Sequence, residues 1–222
     1  MHAEPSKEDF DKAGQQIQAM HMAFETLRGH VEATYGLFMD SRRGWERIAA
    51  ELHAIIADQV RGGMTREQAM QLPMAHGEGP PDLANVRHVS TFAQRLAACS
   101  AGGFNEVSLS GLCLVSIYSH WEDKTRGELA KALRVEKGQV KAGLFADVNR
   151  MRNALLHAGG RLDSTKPFEV LKWFKKGDVI VLTPDRFHEL TARVREFPQG
   201  LHLPAWEPFN GRGTPILNYR RT

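Results

Sequence analysis

Leu144-Phe145-Ala146-Asp147-Val148-Asn149-Arg150-Met151-Arg152-Asn153-Ala154-Leu155-Leu156-His157 is the stretch on which the fold turns. Leu144, Val148, Met151 and Leu155 recur three and four positions apart, the spacing that lines one face of an α-helix. Gly159-Gly160 follows at once and supplies the conformations that stop a helix. Segments on both sides repeat the same period. Upstream, Val107, Leu112, Val115, Tyr118 and Trp121 predict a helix, and a Gly127 interruption separates it from a small helix around Leu129 to Leu133. Further back, Asp82 is placed to cap a helix carrying Leu83, Val86, Val89, Phe92 and Leu96, which ends at Ser100-Ala101-Gly102-Gly103. Downstream, Pro184 occupies the first turn of a helix with Phe187, Leu190 and Val194 on one face.

Two regions break this pattern. Phe168 to Phe174 and Val179 to Leu182 are short β-like runs flanking Lys175-Lys176-Gly177-Asp178, which predicts one small β-hairpin near 168–182. Between Gly62 and Asp82, punctuation by Gly62-Gly63, Pro73 and Gly77-Glu78-Gly79-Pro80-Pro81 reads as a connector, interrupted by a short helix capped by Thr65. Before it, Ile17, Met20, Phe24, Leu27, Val31, Thr34, Phe38, Ser41, Trp45, Ile48, Leu52 and Ile55 form a long N-terminal helical stripe. One helix or a helical hairpin turning at Asp40 to Gly44 fits this stripe, and it either packs on the chain's own core or dimerises. The expected organisation is mainly α. An N-terminal extension and connector takes residues 1–81, a helical domain 82–200, and an extended tail 201–222.

The chain has 222 residues, enough for one sizeable core, with 29 Lys and Arg against 26 Asp and Glu for a net charge of +3. That near-balance permits a polyanion partner without demanding one. Cys99 and Cys113 lack the spacing and companions of a zinc site or a disulfide framework and read as buried apolar residues. The polar N-terminus and the short, serine-interrupted apolar run near Leu109 to Tyr118 predict a cytoplasmic protein with no membrane partner. Gly-x-Ser-x-Gly, Gly-x-x-x-x-Gly-Lys, His-Glu-x-x-His and dinucleotide fingerprints are all absent from the sequence.

The residues that carry chemistry lie at the end of the quoted helix. Asn153 and His157 stack one turn apart on one face, with Arg152 one step round. His157 is a proton-transfer group in the last turn, where the helix dipole attracts a cation. Arg152 can fork onto a phosphate and stabilise a phosphorane, and Asn153 can orient the histidine or a ribose hydroxyl. Lys172, Lys175 and Lys176, with Arg161 nearby in sequence, form either a rim that draws in phosphates or a solvated turn. Tyr118 and Trp121 read as core, and His120 as a surface or hydrogen-bonded residue.

An Arg-Asn pair with His four residues after the Asn, late in a helix, resembles the signature of the HEPN superfamily. Upstream, Leu112-Cys113-Leu114-Val115-Ser116-Ile117-Tyr118-Ser119-His120-Trp121-Glu122 resembles the apolar helix ending in Trp-Glu of its RiboL-PSP-HEPN branch. The likeness spans roughly Leu83 to Phe197. It implies an antiparallel bundle and an endoribonuclease that needs neither metal nor other cofactor. In such an enzyme the ribose 2′-hydroxyl attacks the adjacent phosphate and leaves a 2′,3′-cyclic phosphate. Arg152 and His157 would be catalytic, Asn153 their polar helper, and Glu122 an acidic support hydrogen-bonded to Arg152. The resemblance also implies a homodimer or higher oligomer with a composite site, and a toxin or anti-phage role with an antitoxin or regulator as partner. The alternative is a non-catalytic HEPN-like subunit that binds nucleotide or nucleic acid in a defence or regulatory assembly.

Overall fold

The computed structural model describes residues 7–77, 86–197 and 201–202. The stripe beginning at Ile17 forms one unbroken helix, α1 (Lys7–Arg61), and Asp40 to Gly44 lies within it rather than in a turn. Met20, Phe24, Leu27, Val31, Thr34, Phe38 and Leu52 are buried along one line, as the stripe predicts. At its end the buried residue is Ile56, while Ile55 is 42% exposed. A seven-residue repeat lags a straight helix by roughly 20° per heptad, so over five heptads the buried line moves by about one residue.

Chain contacts divide the fold into two compact units. One comprises Gly36–Ser110 and Val181–Thr183. Its core joins Leu52 and Ile56 of α1 to Ala69 of α2 (Arg66–Met70) and Phe92 of α3 (Phe92–Cys99). Reciprocal capping boxes fix both short helices, Thr65 with Gln68 and Thr91 with Gln94. Between them, β1 (Pro73–Gly77) pairs antiparallel with β2 (Val86–Thr91), from Pro73 opposite Thr91 to Gly77 opposite Val86. The expected helix through Val86 and Val89 is therefore a strand followed by a helix that starts at Phe92, and Pro73 to Gly77 is paired rather than a connector. Asp82 and Leu83 lie outside the described residues, as does the tail beyond 202.

The other unit takes the chain up to Tyr35, Gly111–Ile180 and Pro184 onward. Here the part of α4 (Phe104–His120) from Gly111 onward runs through a π-helical turn, Trp121–Thr125, into α5 (Arg126–Leu133). Gly127 does not interrupt it; the helix stops at Arg134, in the left-handed region at φ 56°. After β3 (Lys141–Ala142), which pairs antiparallel with β4 (Leu201–His202), comes α6 (Gly143–His157). The last helix among the described residues, α7 (Pro184–Glu196), buries Phe187, Leu190, Thr191 and Val194. At the centre Trp121 stacks on Phe145 at 4.3 Å, and Phe197 meets both rings edge-on at 5.2 and 5.1 Å. Cys113, Leu114 and Ile117 face inward from α4, and Leu112, placed on the core stripe from sequence, is 67% exposed.

The predicted hairpin near 168–182 does not form. Residues 168–178 make no strand, and a single bridge joins Arg161 to Val179. The physical reason is Asp147, fully buried on α6. Its carboxylate accepts the backbone N–H groups of Glu169 (3.0 Å), Val170 (2.7 Å) and Leu171 (2.8 Å), taking the donors a ladder would need. Arg150, one turn on, is ion-paired with Asp147 and donates to the Lys166 carbonyl at 3.2 Å. The structure is thus mainly helical with small antiparallel strand pairs. Among the described residues no helix is long and apolar enough to cross a membrane.

Candidate functional site

α6 carries Arg152, Asn153 and His157 in its last turns, and the helix ends after His157 as the double glycine predicts. Gly159 has φ 57° and Gly160 φ 80°, and the N–H groups of Ala158 and Gly160 both return to the carbonyl of Ala154, at 3.0 and 2.9 Å. Asn153 and His157 are exposed on a common face, and Arg152 is half-buried on its flank.

On that flank α4 supplies Tyr118. The Arg152 guanidinium carbon lies 5.8 Å from the centre of its ring, at the outer reach of a cation–π contact. Arg152 Nη1 donates to Asn153 Oδ1 at 2.9 Å, and its Nε is buried without a hydrogen-bond partner. An aromatic ring and an amide therefore orient the guanidinium, and no carboxylate among the described residues neutralises it. Burial foremost, and then the negative charge of Glu122, push the Tyr118 phenol above its ordinary value of 10.0, so it stays a neutral hydroxyl. Leu156, next to His157 on α6, is 49% exposed, and Leu112 of α4 is 67% exposed.

Glu122 stands in the π-helical turn, but its hydrogen bonds go to Arg126 and Lys137 and not to Arg152. Arg126 Nη1 lies 2.9 and 3.2 Å from its two oxygens and Lys137 Nζ 3.0 Å away. Burial raises the Glu122 pKa, yet the hydrogen bonds from Lys137 and Arg126 outweigh it and hold the carboxyl below its ordinary value. Arg126 is itself fixed by Nε donating to the Val140 carbonyl at 2.9 Å. Beside this network a cavity of about 330 Å³ is lined by Tyr118, Glu122, Arg126 and Asn149. Asn149 sits one turn before Asn153 on α6, which the helical period alone would have given. Tyr118, assigned from sequence to the core, is the side chain that joins cavity and motif.

His120 is turned elsewhere. Its ring stacks on His30 of α1 at 4.3 Å with an 18° interplanar angle, and His30 Nε2 meets Ser116 Oγ at 3.1 Å. Trp121, by contrast, is the core residue the sequence predicts, at 3% exposure.

The basic residues downstream gather on one loop. Lys172, Lys175 and Lys176 are exposed and, with Lys166, line a cavity of about 730 Å³. The turn at Lys175 closes through its N–H to Asp178 Oδ2 at 2.9 Å, with Gly177 at φ 92°. Leu162 N–H donates to the Asp178 carbonyl (2.9 Å), Gly177 N–H to that of Leu162 (2.7 Å) and Ile180 N–H to that of Gly160 (2.7 Å). Arg161 spends one guanidinium N–H on the Gly177 carbonyl. The lysine-bearing turn is thereby tied to the segment that leaves α6.

Among the described residues no group of three or more His, Cys, Asp or Glu side chains is placed to hold a metal ion. No protein-family model, curated protein or solved structure matches the chain.

Proposed function

We propose that this chain is a HEPN-type endoribonuclease that works as a homodimer, with Arg152, Asn153 and His157 as half of a composite site. The observation that carries this reading is the hydrogen-bonded Arg152–Asn153 pair one turn from the exposed His157, with the exposed Leu156 beside it on the same helix. In the reaction the RNA 2′-oxygen bonds to the adjacent phosphorus and the bond from phosphorus to the 5′-oxygen breaks. One His157, neutral, takes the 2′-hydroxyl proton, and that of the second copy, as imidazolium, supplies a proton to the departing 5′-oxygen. Arg152, charged and with donors to spare, stabilises the phosphorane, and Asn153 holds the guanidinium in place. Arg161, Lys172, Lys175 and Lys176 attract the phosphates of the RNA. Because the bond-making needs only these groups, cleavage proceeds in EDTA. A cytoplasmic toxin or anti-phage effector held by an antitoxin or regulator suits this activity.

A second reading, a non-catalytic HEPN-like nucleic-acid-binding subunit, is favoured by one observation: Glu122 is committed to Arg126 and Lys137 and leaves Arg152 without acidic support. Incubation of single-stranded RNA with the wild type and with His157→Ala in EDTA separates the two. The expected result is cleavage to 2′,3′-cyclic phosphate ends that falls by about a hundredfold or more in the variant. Loss of cleavage on chelation, or equal rates in both proteins, would sink the ribonuclease.

A further inference from the structure

The cavity of about 330 Å³ beside the motif joins an apolar floor to polar groups of both kinds, donor and acceptor. Trp121 and Phe145, stacked on each other, line it and are 3% and 2% exposed. Of the polar lining, Glu122 and Arg126 are committed to each other, to Lys137 and to the Val140 carbonyl. Lys141, Asn149 and Glu169 line the same cavity and make no side-chain hydrogen bond or ion pair among the described residues. Gly143 fixes where the Glu169 carboxylate lies. A Cβ at this position would stand 2.5 Å from Glu169 Oε2, so only a residue without a side chain lets the carboxylate rest against the first residue of α6. Glu169 also borders the lysine-lined cavity, but Gly143 borders this one alone, which puts the carboxylate on this side.

The cavity is continuous with the motif. Asn149, Asn153 and His157 follow at intervals of four on α6, a row about 12 Å long. Tyr118, which lines the cavity, carries the Arg152 guanidinium carbon 5.8 Å from its ring centre. The volume lies at the small end of the roughly 300–1,000 Å³ of ligand pockets, the scale of a single ring system. Single-stranded RNA is read by placing an unstacked base against aromatic side chains and hydrogen-bonding its edge. Which base suits this lining follows from its donors and acceptors. Guanine alone presents two adjacent donors, N1–H and the exocyclic amine, to a carboxylate. Adenine N1 and cytosine N3 are acceptors that a carboxylate repels, and uracil offers one donor between two carbonyl oxygens. Guanine O6 and N7 are acceptors, matched by an ammonium and an amide.

We infer that this cavity receives a guanine base next to the scissile phosphate, Glu169 accepting from N1–H and the exocyclic amine while Lys141 and Asn149 donate to O6 and N7. The inference rests on the ribonuclease reading of Arg152 and His157, and it makes Glu169 the residue that determines where the RNA is cut. Gly143 acts through Glu169, as a positioning residue.

Wild type, Glu169→Gln and Gly143→Ala are incubated in EDTA with a pool of random-sequence single-stranded RNA, and the new ends are sequenced. The wild type should cut beside guanine about tenfold or more over beside adenine, as charged hydrogen bonds command. Both variants should lose that ratio. Glu169→Gln turns an amide N–H toward the donors of guanine, and the methyl group of Gly143→Ala displaces the carboxylate without removing it. Each ratio is read within one reaction, so it does not depend on how much of a variant folds. A second arm measures the anisotropy of labelled UUGUU on His157→Ala, against the same pentamer with inosine, which lacks the exocyclic amine. The guanine pentamer should bind about tenfold more tightly, and the difference should vanish in His157→Ala/Glu169→Gln. Cleavage without a guanine preference, or a preference that survives Glu169→Gln, overturns the inference and leaves the ribonuclease standing. Absence of cleavage by the wild type removes the ribonuclease reading instead. The binding arm then decides the cavity, and equal affinity for the two pentamers overturns it.

Discussion

Asp147 is fully buried, and every direction around its carboxylate is occupied: three backbone N–H groups of the 169–171 segment and the guanidinium of Arg150. Removing it leaves a largely buried guanidinium and three backbone donors without their acceptor. Asp147→Ala is therefore expected to cost about 3–5 kcal/mol, the range for breaking one side of a buried pair, and Asp147→Asn less, since its carbonyl can still accept. Urea unfolding of the two variants checks this; equal midpoints for Asp147→Ala and wild type would show that the segment stands without the clamp. The sequence carried a signal here that its β-like runs obscured. Asp147 lies between Leu144, Val148 and Met151 on the buried face, and an acid at a core position must have a partner. Arg152, Asn153 and His157 were legible because their geometry is local to one helix. Glu122 was not, because which cation claims a carboxylate is decided by the π-helical turn and by Lys137, fifteen positions on.

Among the elements, α6 and its glycine stop could be read directly, since helical period and left-handed glycines act within a few residues. The hairpin of β1 and β2 could not. In β2 the exposed residues include Arg87, His88 and Val89, and the buried one is Ser90, so no apolar alternation marks it, while Val86 and Val89 fit a helical spacing equally well. The pairing of α1 with α4 has a titratable contact of its own. Burial, then the charge on His30 and then that on Lys124, lower the His120 pKa from its ordinary 6.5, and its Nε2 is buried without a hydrogen-bond partner. A histidine that resists protonation in the native state gives stability that is present above 6.5 and lost as the pH falls from there through the lowered native value, because the unfolded chain takes up the proton first. Urea unfolding of wild type at about pH 7.5 and about pH 5.5 should show this loss, and His120→Phe should lose less over the same interval. An identical decrease in both proteins would place the titrating contact elsewhere.

For the whole molecule, the ribonuclease reading stands on two copies meeting. Leu156 on α6 and Leu112 on α4 are exposed apolar residues of the helices that carry the motif and Tyr118, and an isologous interface formed by these helices would bury both twice. Leu112→Glu/Leu156→Glu should shift the protein from dimer to monomer in analytical ultracentrifugation and abolish cleavage. A wild-type protein that sediments as a monomer at working concentration, yet cleaves RNA, would contradict the composite site. The mainly helical character was readable from the stripes of α1, α4 and α7, each of which needs only its own residues. The division of α1 between two compact units was not, because a continuous helical period says nothing about which neighbours cover it. The backbone bonds from Gly160 and Leu162 to the 177–180 segment have a dynamic consequence. A helix end normally frays, but Gly160, whose N–H caps the Ala154 carbonyl, also accepts from Ile180, so the amides that close α6 and those of the lysine turn are expected to exchange with solvent as one cooperative unit.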